Sequence, residues 1–193
     1  MWGSTGKPAS SPRLAESMLY FADKLKDGSP SIYNLRMREE TSSGNRMIAR
    51  QSIGPPIPRN GSQQNPKILL VVGATGAGKS TLINGMVNYI LGVEWKDDFR
   101  FKLITEGVKR SQAESQTGGI TAYTFHPMVG AAVPHTFTII DTPSFGSTEG
   151  LETDKEITEK IKQLFFMLQK QGIYQLNGIA FVIPASQDRK SVV

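Results

Sequence analysis

The spacing of apolar positions divides the chain near residue 66, and the two sides read differently. Residues 1–12 are Gly, Ser and Pro with little apolar content, a composition that predicts a disordered leader. Residues 13–26 place Leu14, Met18, Leu19, Phe21 and Leu25 near helical spacing, which predicts a short amphipathic helix ended at Asp27 and Gly28. Residues 32–40 and 46–53 flank the polar run 41–45, a pattern that permits a hairpin. Residues 54–65 are rich in Pro, Gly, Asn and Gln and read as a linker, so 13–65 is expected to form an N-terminal extension ahead of a main domain at 66–193.

Past Pro66 the rhythm sharpens. Residues 67–72 form a continuous apolar run that leads into glycines, as a fully buried parallel strand should. Leu82, Ile83, Met86, Val87, Ile90 and Leu91 then recur on one helical face, and Gly92 is placed to stop that helix. Phe99, Phe101 and Leu103 alternate like a strand, and residues 111–119 are polar and read as a loop. Residues 120–128 and 135–142 are strands joined by a connection too short for a crossover helix, so they predict an antiparallel pair. Residues 152–171 carry Ile157, Ile161, Leu164, Phe165 and Leu168 as one helical stripe, and residues 178–185 read as another buried strand. The order β-α-β-β-α-β predicts an α/β fold with a mostly parallel sheet and one antiparallel edge strand.

Composition narrows the setting. The chain has 193 residues, 38% hydrophobic and 20% charged, which suits one ordinary domain with a core. No apolar window reaches the length of a spanning helix, and the first residues lack the apolar segment of a signal peptide. There are no cysteines, hence no disulfide framework and no thiolate zinc site. These features favour a cytoplasmic protein without a transmembrane segment. The net charge is +5, but the cations are scattered singly, which speaks against a nucleic-acid partner. His126 and His135 lack a metal-spaced partner, so no zinc role is expected of them.

Candidate chemistry concentrates between the first strand and its helix. Gly73, Ala74, Thr75, Gly76, Ala77, Gly78, Lys79 and Ser80 fit Gly-x-x-x-x-Gly-Lys-Ser, the phosphate-binding loop. Gly73, Gly76 and Gly78 let the backbone turn tightly and bring its N–H groups onto phosphate oxygens, and Lys79 reaches the β- and γ-phosphates. The Ser80 hydroxyl would coordinate Mg²⁺, and the helix beginning here, with Thr81 in its first turn, aims its positive end at the same anion. In this setting the expected fold class is the three-layer P-loop NTPase sandwich. Asp141 ends the strand at residues 137–141, where a carboxylate beside Mg²⁺ belongs.

Asp141, Thr142, Pro143, Ser144, Phe145 and Gly146 resemble the Asp-Thr-Pro-Gly-Phe-Gly switch of septins and the immunity-associated IMAP GTPases. Residues 115–123 also look like the first switch of that group leading into its second strand. The resemblance covers residues 67–186. It implies a guanine nucleotide with Mg²⁺ as ligands, GTP hydrolysis by the complete domain, and association of G domains with one another. Carried over by position, Thr117 is the first-switch threonine on Mg²⁺ and the γ-phosphate, with Thr121 and Thr124 as rivals; loop placement favours Thr117. Ser144 stands where the group has glycine, keeping the N–H for a γ-phosphate but not the conformational freedom. Phe145 occupies the place of a water-orienting Gln, which implies slow intrinsic turnover.

The group reads guanine with an Asn/Thr-Lys-x-Asp element on a later strand, and none is present before Val193. The expectation is therefore a G domain incomplete at its C-terminus. A scaffold that binds nucleotide without turnover, and an ATP-specific P-loop NTPase, are the alternative readings.

Overall fold

The computed structural model describes residues 12–40, 49–56, 66–104, 120–143 and 176–184, together with residues 155, 158, 159, 162, 163, 165, 166 and 169. Among these, a six-stranded sheet holds β3 (Arg38–Glu39), β4 (Ala49–Ile53), β5 (Lys67–Gly73), β7 (Thr121–Phe125), β8 (Phe137–Asp141) and β9 (Gly178–Val182), in the spatial order β3-β4-β7-β8-β5-β9. A smaller sheet places β2 (Ser31–Leu35) between β1 (Ala22–Lys26) and β6 (Phe99–Lys102). The helices are α1 (Leu14–Ser17), continued by a 3-10 turn at Met18–Phe21, and α2 (Lys79–Ile90). The described residues between 155 and 169 are also helical.

The strand–loop–helix unit forms as its pattern predicts. Ile68, Leu70, Val71 and Val72 of β5 are buried, because the strand lies between β8 and β9 and runs parallel to both. From the opposite side, α2 turns Ile83, Val87 and Ile90 into the core. It ends in a Schellman motif: Gly92, at φ 72°, donates its N–H to Tyr89 O, and Val93 donates to Asn88 O at 2.9 Å. The pair β7 and β8 is antiparallel, as its short connection requires.

Four expectations need correction. The helix expected at 13–26 lasts only through α1 and the 3-10 turn, and residues 22–26 are extended. There the chain pairs antiparallel with β2, Ala22 opposite Leu35 and Lys24 opposite Tyr33, and this non-local ladder overrides helical spacing. Second, residues 32–40 do not form one hairpin arm. β2 pairs with β1 and β6, and among the described residues the hairpin arm is the segment 38–40 alone: Arg38 and Glu39 pair antiparallel with β4, and Glu40 N–H donates to Arg50 O.

Third, the antiparallel strand is not at the edge. β4 joins β7 in parallel register, Ala49 opposite Thr121 through Ile53 opposite Phe125, and β3 lies outside it. Met18, Leu35 and Ile53 share one core with Val71, Val87, Phe101 and Ile139. Fourth, β9 is not buried on both faces. It is an edge strand whose Ala180 and Val182 pack on the core, while Ile179 and Phe181 are 61% and 70% exposed. Among the described residues no helix is long and apolar enough to cross a membrane.

Candidate phosphate-binding site

The three loop glycines have two separate physical reasons. A Cβ added at Gly73 would stand 2.5 Å from Val182 O, so this residue is glycine because β9 passes too close for a side chain. Its φ is not positive, which corrects the expectation that it serves the turn. Gly76 and Gly78 do serve the turn, with φ of 74° and 100°, in a left-handed region that costs other residues about 1–2 kcal/mol. An added Cβ at either would meet nothing within 4 Å, so open space lies beside this stretch of backbone.

Gly78 is the N-cap of α2 and supplies no side-chain cap. The first helical bond is Leu82 N–H to Gly78 O, so the N–H groups of Lys79, Ser80 and Thr81 precede the hydrogen-bonded ladder. No acidic residue stands in the first turn to answer the positive end of the helix. Ala77 N–H closes the loop on Ala74 O at 3.1 Å. Lys79 is buried, and its Nζ donates to Gly73 O at 2.9 Å and to Ala74 O at 3.4 Å, which holds the ammonium over the loop. Ala74, Thr75 and Gly76 are exposed; Ala77, Gly78 and Ser80 are half-buried.

Asp141 ends β8 directly beside β5, opposite Val71 in parallel register and opposite Thr121 in the antiparallel ladder. The loop and the carboxylate thus leave neighbouring parallel strands at the same C-terminal edge, where α/β sheets place their ligands. Thr142 fixes the chain just after Asp141: its buried hydroxyl donates to Val71 O at 2.9 Å. That role was not legible in the sequence, because the acceptor lies on another strand. Thr121 and Thr124 are both strand residues of β7, and the Thr124 hydroxyl lies 3.1 Å from that of Thr138. Thr117 and Ser144 lie outside the described residues.

Two asparagines on α2 also went unread. Asn84 and Asn88 are one helical turn apart and reach β6 and the residues after it through their side-chain amides. A polar pair at this spacing beside an apolar stripe was the available signal.

The donors suit a hard cation. Among the described residues no three His, Cys, Asp or Glu side chains converge as metal ligands. A cation here would rest on one hydroxyl, one carboxylate and the oxygens of its own anion, the arrangement Mg²⁺ accepts and soft metals do not. A buried strand, a loop with two left-handed glycines, an uncapped helix start and a neighbouring strand-end Asp define a P-loop nucleoside-triphosphatase fold. More particularly, residues 68–192 match the family of 50S ribosome-binding GTPases, and the chain belongs to that family. No curated protein and no solved structure matches the chain at a significant level.

Proposed function

We propose that this protein binds GTP with Mg²⁺ at the loop formed by residues 73–80, and that it is a slow GTPase. One observation carries the reading: the loop and Asp141 stand side by side on parallel strands of a GTPase-family domain. In this account the N–H groups of the loop and of Lys79, Ser80 and Thr81 cradle the phosphates, and Lys79 Nζ turns from Gly73 O toward the β- and γ-oxygens. Ser80 and Asp141 hold the cation, joined by Thr117, while the Ser144 N–H contacts the γ-phosphate. The chemistry Mg²⁺ would supply when bound there is positive charge against the triphosphate.

Water then attacks the γ-phosphorus in line with the bond to the bridging oxygen, and GDP departs with that bond's electrons. Lys79 and the loop amides hold the developing charge in a preorganised site. With Phe145 in place of a water-orienting amide, turnover is slow. Within the family we infer a place near the septins and immunity-associated GTPases, supported by Asp141, Thr142 and Pro143 in sequence. Competition against a fluorescent GTP analogue tests the nucleotide choice: GTP and GDP should displace it, and displacement by ATP at equal concentration refutes the guanine reading. Phosphate release at several protein concentrations then tests turnover, and none at any concentration makes the chain a binding scaffold.

A further inference from the structure

The two edges of the six-stranded sheet are unlike. At one end β3 is only Arg38 and Glu39, both charged and exposed, and a short charged strand resists a further partner. At the other end β9 pairs, among the described residues, with β5 alone. Ile179 and Phe181, with Ile183 just beyond the strand, leave an apolar face open to solvent. No Lys, Arg, Asp or Glu occurs from residue 171 to residue 187, so β9 lacks the charges by which edge strands discourage pairing.

The direction of the β9 backbone groups follows from its neighbour. Lys67 donates its N–H to Thr136 O, on the β8 side, and Ile68 O accepts from Asn177 N–H, on the β9 side. Backbone groups alternate along a strand, so Leu70 and Val72 also turn theirs toward β9. In a parallel ladder a residue bonds to the two neighbours of the one it faces. Leu70 faces Ile179, so Gly178 and Ala180 point toward β5. Ile179 and Phe181 are left with their N–H and C=O groups on the open edge.

We propose that β9 is the docking edge for a second copy of this chain, paired antiparallel about a two-fold axis at Ala180. In that register Ile179 faces the partner's Phe181 and Phe181 faces the partner's Ile179. All four residues carry outward backbone groups, so each pair exchanges its N–H···O=C bonds. Their side chains, β-branched against aromatic, are favourable cross-strand neighbours on one face. Ala180 meets its counterpart at the axis, where opposed residues approach most closely and a small side chain fits. The chain thus carries its own complement, neutral and apolar, and one patch serves both copies as closed two-fold symmetry requires. Because β3 guards the other edge, assembly stops at two. Antiparallel pairing sends the loops of residues 73–80 to opposite ends of the dimer, so pairing is independent of nucleotide and of the GTP reading.

A five-residue ladder buries less than the roughly 800 Å² per partner of a standard interface, so the dimer is reversible. Sedimentation equilibrium of the full chain should show the mass rise from one chain toward two, with a Kd of about 10–100 µM and no change on adding GTP or GDP. Ile179→Lys and Phe181→Glu alter side chains that are already exposed, so each should melt like the unchanged chain yet associate at least about tenfold more weakly. Mixed together, the two variants should recover association, because the new ammonium of one then faces the new carboxylate of the other. Should either charged variant melt early, Phe181→Thr keeps a strand-forming side chain and is read in its place, with the same weakening expected. A monomer at every concentration up to about 500 µM, well above that Kd, overturns the proposal. So do a mass that climbs past two chains, association unaltered in a folded variant, association that needs nucleotide, and a mixture no stronger than its parts.

Discussion

Replacing Gly73 by alanine separates the two explanations for a P-loop glycine. The added Cβ would lie 2.5 Å from Val182 O and 3.3 Å from Val182 Cβ. Neither atom sits at the end of a flexible side chain, so β5 and β9 must part along a ladder that runs from Leu69 opposite Gly178 to Gly73 opposite Val182. Overpacking of this kind costs about 1–3 kcal/mol. For a domain of this size, 2 kcal/mol lowers the melting temperature by about 4–8 °C. Because the nearer obstacle is a backbone carbonyl, Val182→Ala in the same chain should not restore stability. The control is Gly76→Ala, where φ is 74° and space is open; its cost, about 1–2 kcal/mol, is one of backbone conformation. Melts followed by circular dichroism decide the matter. If Gly73→Ala melts within about one degree of the unchanged chain, or Val182→Ala rescues it, the close-approach reasoning is wrong.

Two further outcomes follow from single contacts. Thr142→Val keeps the shape of the side chain but removes the donor to Val71 O, and should cost about 1 kcal/mol in a urea titration, whereas Thr142→Ser should cost less. His126 has both ring nitrogens buried without a hydrogen-bond partner among the described residues, and burial pushes its pKa below the ordinary histidine value, with Glu40 opposing that and Arg38 adding to it. The unfolded chain therefore takes up this proton first. Stability present at neutral pH should be lost as pH drops below about 6.5, and His126→Phe should flatten that part of the stability–pH curve; an identical slope in the variant would exclude His126 as its source.

What was legible in the sequence was what is local. The apolar run of β5, the glycines, Lys79 and the stripe of α2 are contiguous, so the strand–loop–helix unit could be read without knowing its neighbours. The stop at Gly92 was equally plain, since a Schellman ending needs only the residues around it. Non-local pairing was not legible. Residues 22–26 have spacing that a helix could use, and only the presence of β2 makes them a strand. The strand at 121–125 was expected at an edge because nothing in its own residues announces β4 beside it.

The same limit applies at the site. Gly73 was assigned to the turn because its real constraint, Val182, lies far along the chain. The run from Ile179 to Ile183 is apolar throughout, so no alternation revealed that one face of β9 would be exposed. Thr142, Asn84 and Asn88 act through side chain to backbone bonds across elements, which composition does not encode.

The central claim is that the loop of residues 73–80 binds GTP through Lys79, and equilibrium titration of the purified chain with GTP in Mg²⁺ tests it most directly. The unchanged chain should bind saturably, and Lys79→Ala, which removes the ammonium held over the loop, should bind about a hundredfold more weakly or not at all. Equal GTP affinity in the folded variant would contradict the account.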